Sequence, residues 1–149
     1  MDMVAELDAG LSGLEQLQAL LDAGGQPPIG QTLDIALVEI GEGRAVFEGH
    51  PSLKVYNPIG MVHGGYAATM LDSACGCAVH STMKPGETYT TLELKVAYHR
   101  PITSETGPVR AEGRVLSRGR RAAFTEATLK DTAGRLLGSA TSTLMIMQG

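Results

Sequence analysis

Leu7, Leu11, Leu14, Leu17, Leu20 and Leu21 recur at helical spacing until Gly24-Gly25 stops the run. The pattern predicts an amphipathic helix within residues 1–25, and Gln26-Pro27-Pro28 reads as a short connector. Residues 32–40 and 44–49 are two apolar-rich runs split by Gly41-Glu42-Gly43, which predicts a β-hairpin. A loop over residues 51–62, holding Pro58 and Gly60, leads into His63. From Gly64 to about residue 83, Ala67, Leu71, Ala74, Cys75 and Ala78 repeat at helical period, and the residues are small almost all round. Such a helix is wrapped closely by a sheet or pressed against a second copy. Lys84-Pro85-Gly86 ends it. Leu92, Leu94, Val96 and Tyr98 then alternate with Thr91, Glu93, Lys95, Ala97 and His99, the period of a half-buried strand that stops at Pro101. Residues 109–116, 122–130 and 135–147 are three more strands joined by Gly-containing turns. Runs of hairpin-linked strands argue for an antiparallel sheet, and the order predicts an α+β fold. One domain is expected over residues 1–149, with its core at 28–147.

Composition narrows the function. The net charge of -4 and the lack of a basic block argue against a nucleic-acid binder. Charged residues are 19% of the chain, below the roughly 25% usual in soluble proteins, which suggests surface covered in an oligomer. No apolar run reaches the roughly 18 residues of a membrane span. Asp2, Glu6 and Asp8 do not make a secretory leader, so a cytoplasmic location is expected. Cys75 and Cys77 sit two apart on a helix, where they cannot bridge each other, and they fall short of a zinc set even with His80. His80 and His99 read as structural or surface residues.

The chemistry concentrates between Asn57 and Asp72. A polar loop ends in His63-Gly64-Gly65, where a helix opens with unblocked N–H groups that attract negative charge. Glycines there let a ligand approach the backbone. Asp72 is the one acid on the same helix. Donors for an oxyanion and an acid as nucleophile or base suit chemistry at a carbonyl. Each residue also has a plainer use. Asp72 could be capped by Thr69 or Ser73, Asn57 could be a turn residue before Pro58, and Arg118, Arg120 and Arg121 could be turn charges.

Taken in order, Asn57, His63-Gly64-Gly65, Asp72, the strand from Thr91 to Pro101 and the hairpin from Ser117 to Phe124 resemble the hotdog-fold acyl-CoA thioesterases of the PaaI-like, hydroxybenzoyl-CoA thioesterase type. The resemblance covers about residues 28 to 147. It implies an antiparallel sheet wrapped around the central helix, homodimers that pair into homotetramers, and active sites at the dimer interface. It implies hydrolysis of an acyl-CoA thioester, without a metal or other cofactor, CoA being part of the substrate. Asp72 takes the position of the acid, Gly64 that of the polarising N–H, and Thr91 that of a helper hydroxyl. Asn57 would orient water or the thioester oxygen, and His63 would shape the site. Gly65, Arg100, Arg118, Gly119, Arg120 and Arg121 are the expected CoA contacts, since arginine suits phosphates. One branch of the family has Thr one turn after the acid; here that residue is Gly76, and alternation sets Thr91 on the face opposite Leu92 and Leu94. Small Ala67, Ala68 and Gly76 would leave room for an aryl or medium acyl group. A non-catalytic acyl-CoA binder is the alternative.

Gly64 and Asp72 are eight residues apart, roughly 12 Å along a helix. One straight helix cannot bring both to one carbonyl, which a nucleophile must approach to about 3 Å. Two antiparallel copies side by side could, so the spacing itself favours a composite site in a symmetric dimer.

Overall fold

The computed structural model describes residues 2–149. Helix α1 runs over Gly13–Asp22. The Ser12 hydroxyl accepts from the Glu15 N–H, and the Glu15 carboxylate accepts from the Ser12 N–H at 2.7 Å. This capping box fixes the start, so the helix lacks the turns expected around Leu7 and Leu11. Asp2 and Asp8 instead hold residues 2–10 in turns through their carboxylates. A second helix, α2 (Pro28–Leu33), stands where a connector and the first residues of a strand were expected. Pro28 supplies its first helical φ, and Asp34 closes it in the left-handed region at φ 58. Strand β1 therefore begins only at Ile35 and runs to Gly41. Its hairpin partner β2 (Arg44–Gly49) has the expected bounds. A 3-10 turn, Leu53–Val55, precedes the central helix α3 (Gly64–His80). Strands β3 (Glu87–Tyr98), β4 (Val109–Arg118), β5 (Ala122–Asp131) and β6 (Leu136–Gln148) complete the chain.

The strands form one antiparallel sheet in the order β1-β2-β4-β5-β6-β3. This is the expected α+β hotdog architecture, with α3 laid along the sheet. The small residues of α3 explain how closely it lies. Ala74, Cys75 and Ala78 are fully buried, as are Ala111 of β4 and Ala123 of β5. At Gly113 of β4 the approach is backbone to backbone: a Cβ there would overlap the Ala74 carbonyl. Met70, Leu71, Leu129 and Leu144 fill the flanks of this seam. β3 is an edge strand twelve residues long, hydrogen-bonded only on its β6 side.

α1 closes the C-terminal end of α3. The Gly13 N–H donates to the Met83 carbonyl at 2.9 Å, and the Gln16 Oε1 lies 2.9 Å from His80 Nε2. His80 is buried, with the edge of its ring against Tyr89 at 5.4 Å between centroids. Burial lowers its pKa from 6.5 to about 4. The unfolded chain therefore takes this proton first as pH falls. Stability should drop from pH 6.5 down to about 4 and then level, by at most about 3 kcal/mol from this group. Urea unfolding of wild type and His80→Gln across this range checks it: the variant should lose most of the slope above pH 5, where few carboxylates titrate.

Candidate active site

β3 runs antiparallel to α3 and meets it at three places. The Tyr98 hydroxyl donates to the Gly64 carbonyl at 2.8 Å, the Thr91 hydroxyl donates to Asp72 Oδ1 at 3.0 Å, and the Tyr89 ring lies over Gly76. The second contact corrects the alternation argument. Thr91 opposes Leu144 across the ladder and Glu93 opposes the next residue, Thr143, so Leu92 is an inserted bulge residue. The bulge resets the alternation. Leu92 is 57% exposed on the outer face, while Thr91 points to the helix on the same side as Leu94 and Val96. Asp72 is half-buried, and its Oδ2 has no partner among the described residues. Thr69 is not its cap, because that hydroxyl donates to the Gly65 carbonyl at 2.8 Å.

The loop before α3 is organised by Asn57. Its Oδ1 accepts from the Ile59 and Met61 N–H groups at 3.1 and 3.2 Å, and its own N–H donates to the Met61 carbonyl at 2.8 Å. This is the turn chemistry of an Asx residue; the Nδ2 amide is left for other partners. His63 is the N-cap of α3, its Nδ1 accepting from the Gly65 N–H at 2.7 Å. The cap uses the Gly65 donor and leaves that of Gly64, which has no acceptor among the described residues. α3 is unbroken from Gly64 to His80, so Gly64 and Asp72 of one chain stand about 12 Å apart along it. A cleft of about 330 Å³ opens beside this helix start, lined by Lys54, Tyr56, His63, Gly65, Tyr66 and Thr69 among others.

The arginines divide. Arg118 donates to the Glu87 carboxylate at 2.6 Å and to the Thr82 hydroxyl at 3.3 Å. Burial raises the Glu87 carboxyl, but the Lys84 N–H, Gln148 and Arg118 outweigh it and hold it below the ordinary range. Arg118 is thus committed within the fold. Arg120 and Arg121 are exposed and line an open groove of about 720 Å³ with Lys84, Met145 and Gln148. Gly119 makes the turn, its N–H donating to the Ala122 carbonyl at 2.8 Å. Arg100 is exposed, away from this groove.

Two of the small residues expected to leave room for an acyl group do not do so. Ala67 is buried in the core, and a Cβ on Gly76 would already sit 3.4 Å from the Tyr89 ring. Burial raises the Cys75 and Cys77 thiols to about 11 and about 12, which keeps them protonated and unreactive. Tyr98 and Tyr89 were the residues missed. The bulge hides the signal for Tyr98; Tyr89 could have been found as the residue two before Thr91 on the same face.

Residues 59–137 match the model of the Thioesterase superfamily, and the chain belongs to that family. A relative from Klebsiella pneumoniae subsp. pneumoniae, named proofreading thioesterase EntH, is 28% identical over 78% of this chain and 84% of its own. A 1,4-dihydroxy-2-naphthoyl-CoA hydrolase from Listeria monocytogenes is 24% identical over 72% of this chain and 85% of its own. Among solved structures, a thioesterase family protein from Silicibacter pomeroyi aligns with a TM-score of 0.78 at 28% identity, covering 89% of this chain and 98% of that one. The Escherichia coli PaaI protein aligns with a TM-score of 0.80 at 17% identity, over 92% and 95%, a likeness of fold.

Arg118→Ala should leave the half-satisfied Glu87 behind and lower stability by about 2 kcal/mol, whereas Arg120→Ala and Arg121→Ala should each change it by less than about 0.5 kcal/mol. Denaturant unfolding of the three variants checks the division.

Proposed function

We propose that the protein hydrolyses the thioester of an acyl-CoA to the free acid and CoA, using Asp72 of one chain and the Gly64 N–H of a second. The observation that carries the reading is the Asp72 carboxylate, oriented by Thr91 through one oxygen with the other free, on a helix whose first donor is unpaired. The names of the Klebsiella and Listeria relatives point the same way.

The N–H at the helix start polarises the carbonyl and holds the oxyanion. Asp72 Oδ2 then does one of two things. It attacks the carbonyl carbon, the C–S bond breaks, CoA leaves as thiolate, and water hydrolyses the mixed anhydride. Or it takes a proton from water, and hydroxide makes the same displacement. Thr91 keeps the carboxylate aimed in both, and the Asn57 amide, whose oxygen alone is used by the loop, would orient water or the thioester oxygen. No metal or redox cofactor enters either route. His63 supports the donor indirectly, by occupying the neighbouring N–H of Gly65.

The distance between Gly64 and Asp72 supports a site shared between the two chains of a homodimer. The long free edge of β3 supplies the means: antiparallel pairing of two such edges extends the sheet and sets the two α3 helices antiparallel. Pairing of dimers into a tetramer and a cytoplasmic location belong to the same reading. Arg120 and Arg121, lining an open groove, are the better candidates for the CoA phosphates.

Gly64→Pro tests the donor, with Gly64→Ala as its control. Proline suits the first helical position, and His63 at φ -59 and ψ 136 already has the conformation a following proline demands. Either residue adds a Cβ at 3.0 to 3.3 Å from the Tyr98 phenol, which must give slightly, but only proline removes the N–H. Gly64→Pro and Asp72→Asn should each lose at least about a hundredfold in kcat while remaining folded and dimeric. Mixed with subunit exchange, they should recover about a quarter of wild-type activity, since about half the dimers are mixed and each has one intact site of two. No recovery despite proven exchange would place both groups within one chain. Asp72→Asn with wild-type turnover would remove the acid from the reaction, and acyl-CoA binding without thiol release by the wild type would leave a non-catalytic binder.

Changing Arg120 and Arg121 together to Ala should raise KM for an acyl-CoA about tenfold at low salt and hardly affect a truncated thioester lacking the nucleotide phosphates. Equal effects on both substrates would separate the groove from the nucleotide.

A further inference from the structure

The contacts between β3 and α3 fix which strand residue is level with which helix residue. Thr91 meets Asp72, and Tyr89, two residues back, meets Gly76, four residues on. In the other direction, Thr91 and Leu94 oppose Leu144 and Ser142 of β6, so the bulge leaves them two ladder positions apart, roughly 7 Å. Four residues of helix rise about 6 Å. Leu94 is therefore level with Ala68. Ala68 is also the midpoint between Gly64 and Asp72. A two-fold axis that sets Asp72 of one chain beside Gly64 of another must pass at Ala68, and it then crosses the β3 edge at Leu94.

We propose that two copies of the chain join along β3 with Leu94 on the two-fold axis and Glu93 of each copy paired with Lys95 of the other. The inference rests on the shared-site reading and deepens it, since it fixes how the second copy is aligned. The edge supports this register independently of the helix. Residues opposite each other in a sheet share a face, so the axis passes through a residue and not between two. Glu93 and Lys95 are exposed on the outer face, to either side of Leu94. With the axis at Leu94, Glu93 stands opposite Lys95 twice. With the axis moved one residue either way, Glu93 or Lys95 would face its own copy, and like charges directly opposite are destabilising. Neither charge is already spent within the chain. Lys95 has no acid partner among the described residues, and Glu93 gives only one oxygen to the Thr143 hydroxyl, at 2.9 Å. Leu94 is also the middle of the edge, with Tyr89, Thr90, Thr91 and Glu93 on one side and Lys95, Val96, Ala97 and Tyr98 on the other. Pairing there engages the strand from end to end. A lysine on an edge strand keeps foreign strands off; with a glutamate two residues away it admits a second copy of itself.

Cysteine placement reads the register. A residue on the axis meets itself at a distance that a disulfide spans, and a residue one step off does not. Under mild oxidation Leu94→Cys should cross-link into dimers, while Glu93→Cys and Lys95→Cys should each fail alone and cross-link to one another when mixed. Charge reversal tests the ion pairs. Glu93→Lys and Lys95→Glu should each weaken the dimer at least about tenfold in sedimentation, since each then opposes two like pairs. An equimolar mixture of the two should restore it, because the mixed dimer has two opposite pairs. With Gly64→Pro added to one of these chains and Asp72→Asn to the other, every dimer is mixed, and activity should reach about half of wild type rather than about a quarter. Cross-linking by Glu93→Cys or Lys95→Cys alone, cross-linking at none of these positions, or reversals that leave the dimer unchanged would overturn the register. So would a wild type that sediments as a monomer, its edge left for some other strand. Cross-links and reversals as expected, with no thiol released from any acyl-CoA, would count against the thioesterase reading and leave the register standing.

Discussion

At Gly113 the backbone of β4 touches the backbone of α3, and the orientation of everything on the helix depends on that contact. A side chain there would lift the helix off the sheet. Without one, Ala74, Cys75 and Ala78 pack flat and the helix cannot roll. The roll decides which residues face β3. It turns Gly65, Thr69, Asp72 and Gly76, nearly in line at a spacing of four, three and four residues, toward the flank that the sheet leaves partly open. The carboxylate owes its position to small residues on the other side of its own helix.

Around that seat, polar groups near the reaction are used sparingly and for distinct ends. His63 takes the second donor of the helix so that the first stays free. Thr91 takes one carboxylate oxygen and leaves the other. Asn57 spends its oxygen on the loop and keeps its amide. Arg118, chemically the same as its neighbours in the turn, is tied to Glu87 and holds the start of β3 to the end of β4. A residue type suited to phosphate is therefore not by itself a phosphate ligand; the partner it already has decides.

Much of this was legible in the sequence, unevenly and for physical reasons. The central helix, the four long strands and the hairpin of β1 and β2 were readable because their apolar positions repeat with a clear period over ten or more residues or are framed by glycine turns. The first turns of the N-terminal helix were misread because leucines at helical spacing say nothing about where a cap will stop the chain, and Ser12 with Glu15 stops it. α2 was missed because six residues are too few to show a period and two prolines look like a break, although a proline is a favourable first helical residue. At the site, Asp72 and Gly64 could be named from type and spacing. The helper hydroxyl was named while its facing was wrong, and the tyrosines at either end of β3 were passed over. Alternation is a local rule, and one inserted residue cancels it. That the expected room beside Gly76 is filled by an aromatic ring could not be seen either, since the ring comes from another strand.

The bulge at Leu92 gives β3 something like a reading frame. The half after it presents Leu94 and Val96 inward in one phase, and the half before it presents Tyr89 and Thr91 inward in the other. Loss of Leu92 itself would leave a regular ladder, with Thr91 and Tyr89 still inward beside Leu94 and Val96. Loss of Thr91 along with it would keep the apolar half in place, yet turn Thr90 and Thr88 inward where Thr91 and Tyr89 had stood. Length changes at this point are thus felt by parity rather than by size. A chain of this fold could exchange the whole inward set of polar groups opposite its acid by losing two neighbouring residues, without touching the helix that carries the acid.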